Sequence, residues 1–242
     1  MNDRFQKVKS PLTCILLLVV IPGIVILGAA VFRAKYYAYL SLCVAVISCI
    51  PIFYCFERKE ASSKELIVLA VMTAVSVVGR FVFAWLPGFK PVTAITVITA
   101  IYLGREAGFL VGSLSAVLSN MYFGQGPWTP FQMFAWGFLG FLAGALAKPL
   151  KQNRVFLCLY GALSGLLFSA VMDIWTTLWA GGDFALSRYF TVMASALPFT
   201  VEYAVSNLIF LWLLAKPIGE KLERMQKKYG LFVRGNHEKR GL

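Results

Sequence analysis

Long apolar runs separated by short polar stretches make up most of this chain. We delimit eight runs, because a transmembrane helix needs about 20 predominantly apolar residues and somewhat fewer where it is buried among others. The runs are 12–32, 36–56, 66–86, 91–103, 109–123, 131–147, 155–180 and 192–215. This pattern predicts an all-α integral membrane protein, with both ends of the chain on the same side of the membrane.

The first run follows a basic start, as the core of a signal peptide does. Arg4, Lys7 and Lys9 precede it. The apolar part is nevertheless longer than the roughly 7–15 residues of a signal core. We therefore interpret 12–32 as a retained helix.

Composition agrees with a membrane protein. The 242 residues are 59% hydrophobic and 14% charged, with a net charge of +12, whereas soluble domains are about 45–50% apolar and about 25% charged. The basic residues fall in loops and in the tail, which favours a role in topology and lipid contact over nucleic-acid binding.

The distribution of lysine and arginine predicts the orientation. With the N-terminus inside, 18 of the 23 basic residues lie in inner segments, and Arg80 lies within a run. The outer loops hold Arg33, Lys35, Lys90 and Arg188. This bias predicts that both termini are cytoplasmic.

The basic tail that follows the last run has one apolar face. In KPIGEKLERMQKKY, residues 216–229, the apolar positions are Ile218, Leu222, Met225 and Tyr229. Their spacing predicts an amphipathic helix along the inner membrane surface, with a solvated C-terminal helix as the alternative.

Three ionisable residues lie within the predicted spans: Arg80, Asp173 and Glu202. At 1.5 Å per residue they lie roughly 9–15 Å below the outer surface, where Asn120 and Asn207 add polar groups. One interpretation is that Arg80 pairs with a carboxylate and holds helices together. The other is that these residues form the floor of an outward-facing pocket.

The stretch GQGPWTPFQMFAW, residues 124–136, is a neutral and aromatic outer loop. Its tryptophans fit an aromatic belt at the membrane interface, but Trp128 beside Gln125 and Gln132 also suits a flat, neutral-polar ligand. The predicted substrate-binding residues are Arg80, Lys90, Asn120, Tyr122, Gln125, Trp128, Gln132, Trp136, Asp173, Trp179 and Glu202.

No motif supplies catalysis, nucleotide binding or a metal site. The chain has no Walker loop, no H-E-x-x-H and no G-x-S-x-G. The five cysteines form no C-x-x-C and there is one histidine, so we expect buried thiols and no cofactor. Two alternatives stay open: a membrane enzyme that uses Asp173 or Glu202, and a self-sufficient secondary transporter.

Small residues spaced four apart recur along the spans, as in Gly108-x-x-x-Gly112 and Gly140-x-x-x-Gly144. Internal helix packing accounts for most of them. Ala70 and Ala74 differ because they lie near the cytoplasmic end of their segment, where a small-residue face can meet another protein.

The segment LIVLAVMTAVSVVGRFVF with Ala70 and Ala74, and the motif SNMYFGQGPWTPFQMFAWG at 119–137, resemble the substrate-binding S component of energy-coupling factor (ECF) vitamin transporters. The resemblance extends from about residue 62 to residue 215. It implies a six-helix core that binds a vitamin near the outer face, under loops 87–91, 124–130 and 181–191. It also implies a bacterial plasma membrane protein without catalysis of its own.

The partners that the resemblance implies are a scaffold transmembrane subunit, contacted by Ala70 and Ala74, and two cytoplasmic ATPase subunits. The S component would topple in the membrane to release its ligand. The loop motif is similar to that of the cobalamin branch, so a corrinoid is the first expected ligand, with other vitamins, haem-like tetrapyrroles and vitamin precursors as alternatives. The chain departs from the family in its N-terminal extension, which gives three parts: 1–61, 62–215 and 216–242.

Overall fold

The structure is a computed structural model that describes residues 62–181 and 184–232. Within these ranges the chain forms helices joined by short loops, with no strand, which confirms the all-α prediction. The helices are α1 (Ser63–Val82), α2 (Val92–Leu103), α3 (Arg105–Phe123), α4 (Thr129–Ala145), α5 (Ala147–Gln152), α6 (Arg154–Gly181) and α7 (Leu186–Tyr229). The predicted helices at 12–32 and 36–56 lie outside the described residues.

Helix α1 begins at a capping box. The Ser62 hydroxyl accepts a hydrogen bond from the Glu65 backbone N–H at 3.3 Å, and the Glu65 carboxylate accepts one from the Ser62 N–H at 3.2 Å. This reciprocal pair satisfies two backbone donors that the first turn leaves without helical partners. The N-terminus of α1 is therefore fixed locally by the sequence.

Helix α2 lies at the centre of the bundle. All of its residues except Tyr102 are buried, and α1, α3, α4 and α7 pack around it. Its 12 residues carry no charge, and a helix that is apolar on all sides is stable only when it is enclosed. Within the described residues, α1, α6 and α7 are long and apolar enough to cross a membrane.

Helices α3 and α4 approach closely because both present glycines at their contact. A Cβ built on Gly140 would lie 2.6 Å from the Gly108 backbone. A Cβ on Gly112 would lie 2.6 Å from the Trp136 backbone. The small-residue pattern at these positions therefore serves internal packing, as small residues do in membrane helices.

We expect Gly140→Ala to lower the thermal stability of the purified protein. The added methyl group would meet backbone atoms, which cannot rotate away, so the two helices must separate at a cost of about 1–3 kcal/mol. Ala145→Ser is the control, because it adds one heavy atom at an exposed position of the same helix. Equal melting temperatures for the two variants would show that the contact is not tight.

The C-terminal tail continues α7 as one helix of 44 residues that contains Pro198 and Pro217. Its apolar face is covered by the bundle: Leu222 is 3% exposed, and Ile218 and Met225 pack against the same core. The prediction that this face lies on the membrane surface is therefore wrong for Leu222, because the core of the protein takes the place of lipid.

Polar contacts hold the tail against the ends of α1 and α2. The Gln226 amide donates to the Tyr102 carbonyl oxygen at 2.8 Å. The Phe232 backbone N–H donates to the Glu65 carboxylate at 2.6 Å. The tail thus crosses from the end of α2 to the beginning of α1.

We expect Leu222→Asp to release the tail from the bundle, because a carboxylate cannot be buried there without a partner. Backbone amides in 216–232 should then exchange with solvent faster, which hydrogen-exchange mass spectrometry measures. Lys221→Asp introduces the same side chain at the exposed neighbouring position and should leave exchange unchanged. Similar protection in both variants would contradict this docking.

Candidate ligand-binding site

A cavity of about 530 Å³ opens at the end of the bundle that carries loops 83–91 and 124–128, which we call the loop end. Its volume falls within the range of about 300–1,000 Å³ typical of small-molecule sites. Helices α1, α4, α6 and α7 and the loop between α1 and α2 contribute to the wall. The lining residues are Arg80, Pro87, Lys90, Gln132, Trp136, Phe168, Ser169, Met172, Asp173, Thr176, Thr191, Val192, Ser195, Ala196, Phe199 and Tyr203.

Arg80 enters the cavity wall from the last turn of α1 and is 8% exposed. Its Nη1 donates to the Ser119 hydroxyl and, at 2.8 Å, to the Asn120 side-chain oxygen. Its Cζ lies 4.7 Å from the centre of the Phe123 ring and 5.2 Å from that of Trp136. Neutral dipoles and aromatic faces therefore hold the guanidinium.

No carboxylate lies within 4.0 Å of the Arg80 guanidinium in the described part of the chain. The interpretation in which Arg80 pairs with Asp173 or Glu202 to hold helices together is therefore wrong for this structure. The guanidinium also keeps a buried Nε without a hydrogen-bond partner.

Asn120 lies behind the cavity wall and connects Arg80 to the loop 124–128. Its amide nitrogen donates to the Thr129 hydroxyl at 2.9 Å and to the Gln132 side-chain oxygen at 2.7 Å. Thr129 in turn donates to the Gln125 side chain at 3.0 Å. All the hydrogen-bonding groups of the Asn120 side chain are thus engaged, so its orientation is fixed.

An aromatic surface forms one side of the cavity. The Trp136 and Phe168 rings stack with centroids 5.1 Å apart and planes 14° apart. Tyr203 meets Phe168 edge-on at 5.2 Å. Stacked and edge-on rings in such an arrangement present flat apolar faces to a planar ligand.

The two carboxylates predicted for the site have different positions. Asp173 lines the cavity from α6 and is 6% exposed. Glu202 is not among the residues that line the cavity. It lies beside the loop that follows α1, since a Cβ atom added to Gly88 would lie 2.7 Å from the Glu202 Oε2. Asp173 is therefore the acceptor that a ligand would meet.

Lys90 lies on the loop between α1 and α2, and this loop is bound to α7. The Lys90 backbone N–H donates to the Ser206 hydroxyl at 2.9 Å, and the hydroxyl donates back to the Lys90 carbonyl oxygen at 3.2 Å. Burial lowers the pKa of the Lys90 ammonium, the neighbouring Arg80 charge lowers it further, and Glu202 opposes both.

Some predicted residues lie away from the cavity wall. Trp128 packs on Trp175 with ring centres 6.4 Å apart, and Trp179, which is 59% exposed, also packs on Trp175. Tyr122 is 75% exposed on the outer surface of α3. Of the predicted set, the cavity wall contains Arg80, Lys90, Gln132, Trp136 and Asp173, whereas Asn120, Tyr122, Gln125, Trp128, Trp179 and Glu202 lie outside it.

Glu202, the residue of α7 that was predicted for the site, lies outside the cavity wall, whereas other residues of α7 line it. Thr191, Ser195, Phe199 and Tyr203 line the cavity at intervals of four residues. The spacing places them along one side of the helix. The signal was weak because serine and threonine in such helices bond to their own backbone, as the Ser195 hydroxyl does to the Thr191 carbonyl oxygen at 2.9 Å.

A second surface, on α1, is apolar and is exposed among the described residues. Ala70 and Ala74 are exposed, and Ile67 and Val71 beside them are 61% and 53% exposed. The face therefore combines small residues with flanking aliphatic side chains.

An all-α bundle whose longest helices could cross a membrane, with a cavity of polar and apolar lining at one end, is typical of membrane-embedded ligand-binding proteins. The family model described as "ECF-type riboflavin transporter, S component" matches residues 60–224. The chain therefore belongs to this family of S components, the vitamin-specific membrane subunits of ECF transporters. No curated protein and no solved structure matches the chain.

Proposed function

We propose that this chain binds a vitamin of the size and shape of riboflavin in the loop-end cavity and delivers it inward as part of an ECF-type ABC importer. The observation that carries the proposal is the cavity itself, with a volume of about 530 Å³. A planar ring system suits the stacked Trp136 and Phe168, and Gln132 and Asp173 supply polar partners at its edge. The name of the matched family supports riboflavin as the first ligand to test.

Cobalamin, the ligand expected from the loop motif, has less support. A corrinoid is several times larger than a flavin, so this cavity would have to open widely to take it. Gln125 and Trp128, which suggested an amide-edged ligand, have partners within the protein in the Val117 carbonyl oxygen and Trp175.

The membrane-enzyme alternative also has less support. It needs Asp173 or Glu202 to act as an acid or base on a lipid or polyprenyl substrate, and Glu202 lies outside the cavity that Asp173 lines. The matched family is one of transporter subunits, which favours binding over catalysis. A self-sufficient secondary transporter is disfavoured by the family, whose members serve as subunits of ECF transporters.

The distribution of charge supports a cytoplasmic position for the end opposite the loops. Basic residues there lie on α5, on the first turn of α6 and along the tail of α7. By the positive-inside rule, the loop end would then face outward in a bacterial plasma membrane. The exposed face of α1 around Ala70 and Ala74 would contact the scaffold subunit, which carries the two ATPases.

Identification of the bound molecule tests the proposal. The protein would be purified in detergent from cells grown in rich medium, and any co-purified compound identified by absorbance and mass spectrometry. The emptied protein would then be titrated with riboflavin and cobalamin by calorimetry. A stoichiometric flavin supports the proposal, a stoichiometric corrinoid replaces it with the cobalamin hypothesis, and no binding by a panel of vitamins would refute it.

A further inference from the structure

Arg80 is a buried cation whose charge no carboxylate of the described residues balances. It is 8% exposed, and among the described residues its Nη1 has two hydrogen-bond partners, both of them neutral. An arginine inside a membrane span is costly and usually faces a polar cavity or pairs with an opposite charge. Here it faces the cavity, and the described residues place no carboxylate within 4.0 Å of it.

Lys90 brings a second positive charge to the same part of the wall. The Phe123 ring lies beside both cations, with its centre 4.7 Å from Arg80 Cζ and 6.0 Å from Lys90 Nζ. The Arg80 charge lowers the pKa of the Lys90 ammonium, because two like charges repel each other. An anion between them would reduce this repulsion.

The carboxylate of the cavity wall enters from a different helix. Asp173 lies on α6, which packs mainly against α7 and α4, whereas α1 packs mainly against α3 and α2. The wall therefore has a cationic part, formed by Arg80 and Lys90, and a separate acidic part at Asp173.

We propose that the loop-end cavity takes an acidic ligand, whose carboxylate or phosphate group binds between Arg80 and Lys90. A guanidinium presents several N–H donors in a plane that matches the oxygens of either group. Asp173 then accepts a hydrogen bond from an N–H group of the ligand's ring, which lies along Trp136. The inference rests on the proposed function and names the class of vitamin, or the form of it, that the site selects.

Matched neutral and acidic ligands test the proposal. Calorimetry on the purified full-length protein would compare riboflavin with riboflavin 5′-phosphate, and biotin amide with biotin. In each pair that binds, we expect the acid to bind at least about tenfold more tightly than the neutral compound. This ratio corresponds to a difference of about 1.4 kcal/mol in binding free energy. Equal affinities within a pair that binds would overturn the inference and leave the proposed function intact, whereas failure of all vitamins to bind would refute the function itself.

Two variants assign the effect to Arg80. Arg80→Gln removes the charge and should abolish the preference for the acid over its neutral partner. Asn120→Asp leaves Arg80 in place but puts a carboxylate where the Asn120 oxygen now lies, 2.8 Å from Nη1, and should have the same effect. The second variant decides the outcome if the first fails to fold, and a preference that survives in the folded variants would overturn the proposal.

The headgroup of an anionic lipid also carries a phosphate or carboxylate that could bind between Arg80 and Lys90, so a separate measurement is needed to distinguish it from a vitamin. Mass spectrometry of the purified protein distinguishes a bound acidic lipid from a bound vitamin acid. A stoichiometric lipid that depends on Arg80 and that no vitamin acid displaces would overturn the proposal.

Discussion

The double substitution Ala70→Leu and Ala74→Leu is expected to abolish vitamin uptake by cells while leaving ligand affinity unchanged. Both alanines are exposed on α1, so folding should be preserved. Close contact between membrane helices depends on small residues. The two larger side chains should each cost about 1–3 kcal/mol at a tight interface. A combined cost of about 2–6 kcal/mol would weaken assembly by roughly 30- to 20,000-fold.

Three measurements check this expectation: uptake of labelled vitamin, calorimetry on the purified subunit, and co-purification with the ECF scaffold and ATPase subunits. Ala145→Leu is the matched control, since it makes the same change at an exposed position of α4. Uptake at the wild-type level in the double variant would show that the scaffold docks elsewhere. Loss of ligand affinity would show that the α1 face is coupled to the cavity.

Hydropathy predicted where the helices of the described region lie, but not where they end. The predicted segment 192–215 corresponds to a helix that extends from Leu186 to Tyr229. The apolar run ends at Lys216, where charged residues become frequent, whereas helical hydrogen bonding continues to Tyr229. The contact of Leu222 with the bundle depends on the fold and has no local signal in the tail sequence.

The charged part of the cavity could be predicted because ionisable residues within apolar runs are rare. Arg80 and Asp173 stood out for that reason, and both line the cavity. Aromatic and amide residues were less informative. Trp128 packs on Trp175, and the Gln125 amide donates to the Val117 carbonyl oxygen. The sequence alone does not distinguish such contacts within the protein from contacts with a ligand.

Helix α7 offers a direct test of where the ligand binds. Ser195 lines the cavity, whereas Ala194, the preceding residue, is exposed and absent from the lining. Successive residues on a helix point about 100° apart, because the helix has 3.6 residues per turn. The same substitution at these two positions therefore sends its side chain into the cavity in one case and away from it in the other.

Ser195→Trp is expected to lower vitamin affinity at least about 100-fold, equivalent to about 2.8 kcal/mol. The indole would occupy space that a planar ligand needs beside Trp136 and Phe168, and it should do so without displacing core side chains. Calorimetry measures the affinity, and thermal unfolding verifies that the variant is folded. Ala194→Trp should bind within about twofold of wild type, because a twofold change is only about 0.4 kcal/mol.

The opposite pattern would place the ligand elsewhere. If Ser195→Trp binds the vitamin normally and Trp128→Ala does not, the site lies under loop 124–128, where Trp128 packs on Trp175. If both variants bind normally, neither region holds the ligand. The vitamin is assigned to the loop-end cavity if Ser195→Trp loses affinity while Ala194→Trp and Trp128→Ala retain it. These three variants test, in turn, the wall of the cavity, the side of α7 that faces away from it, and loop 124–128.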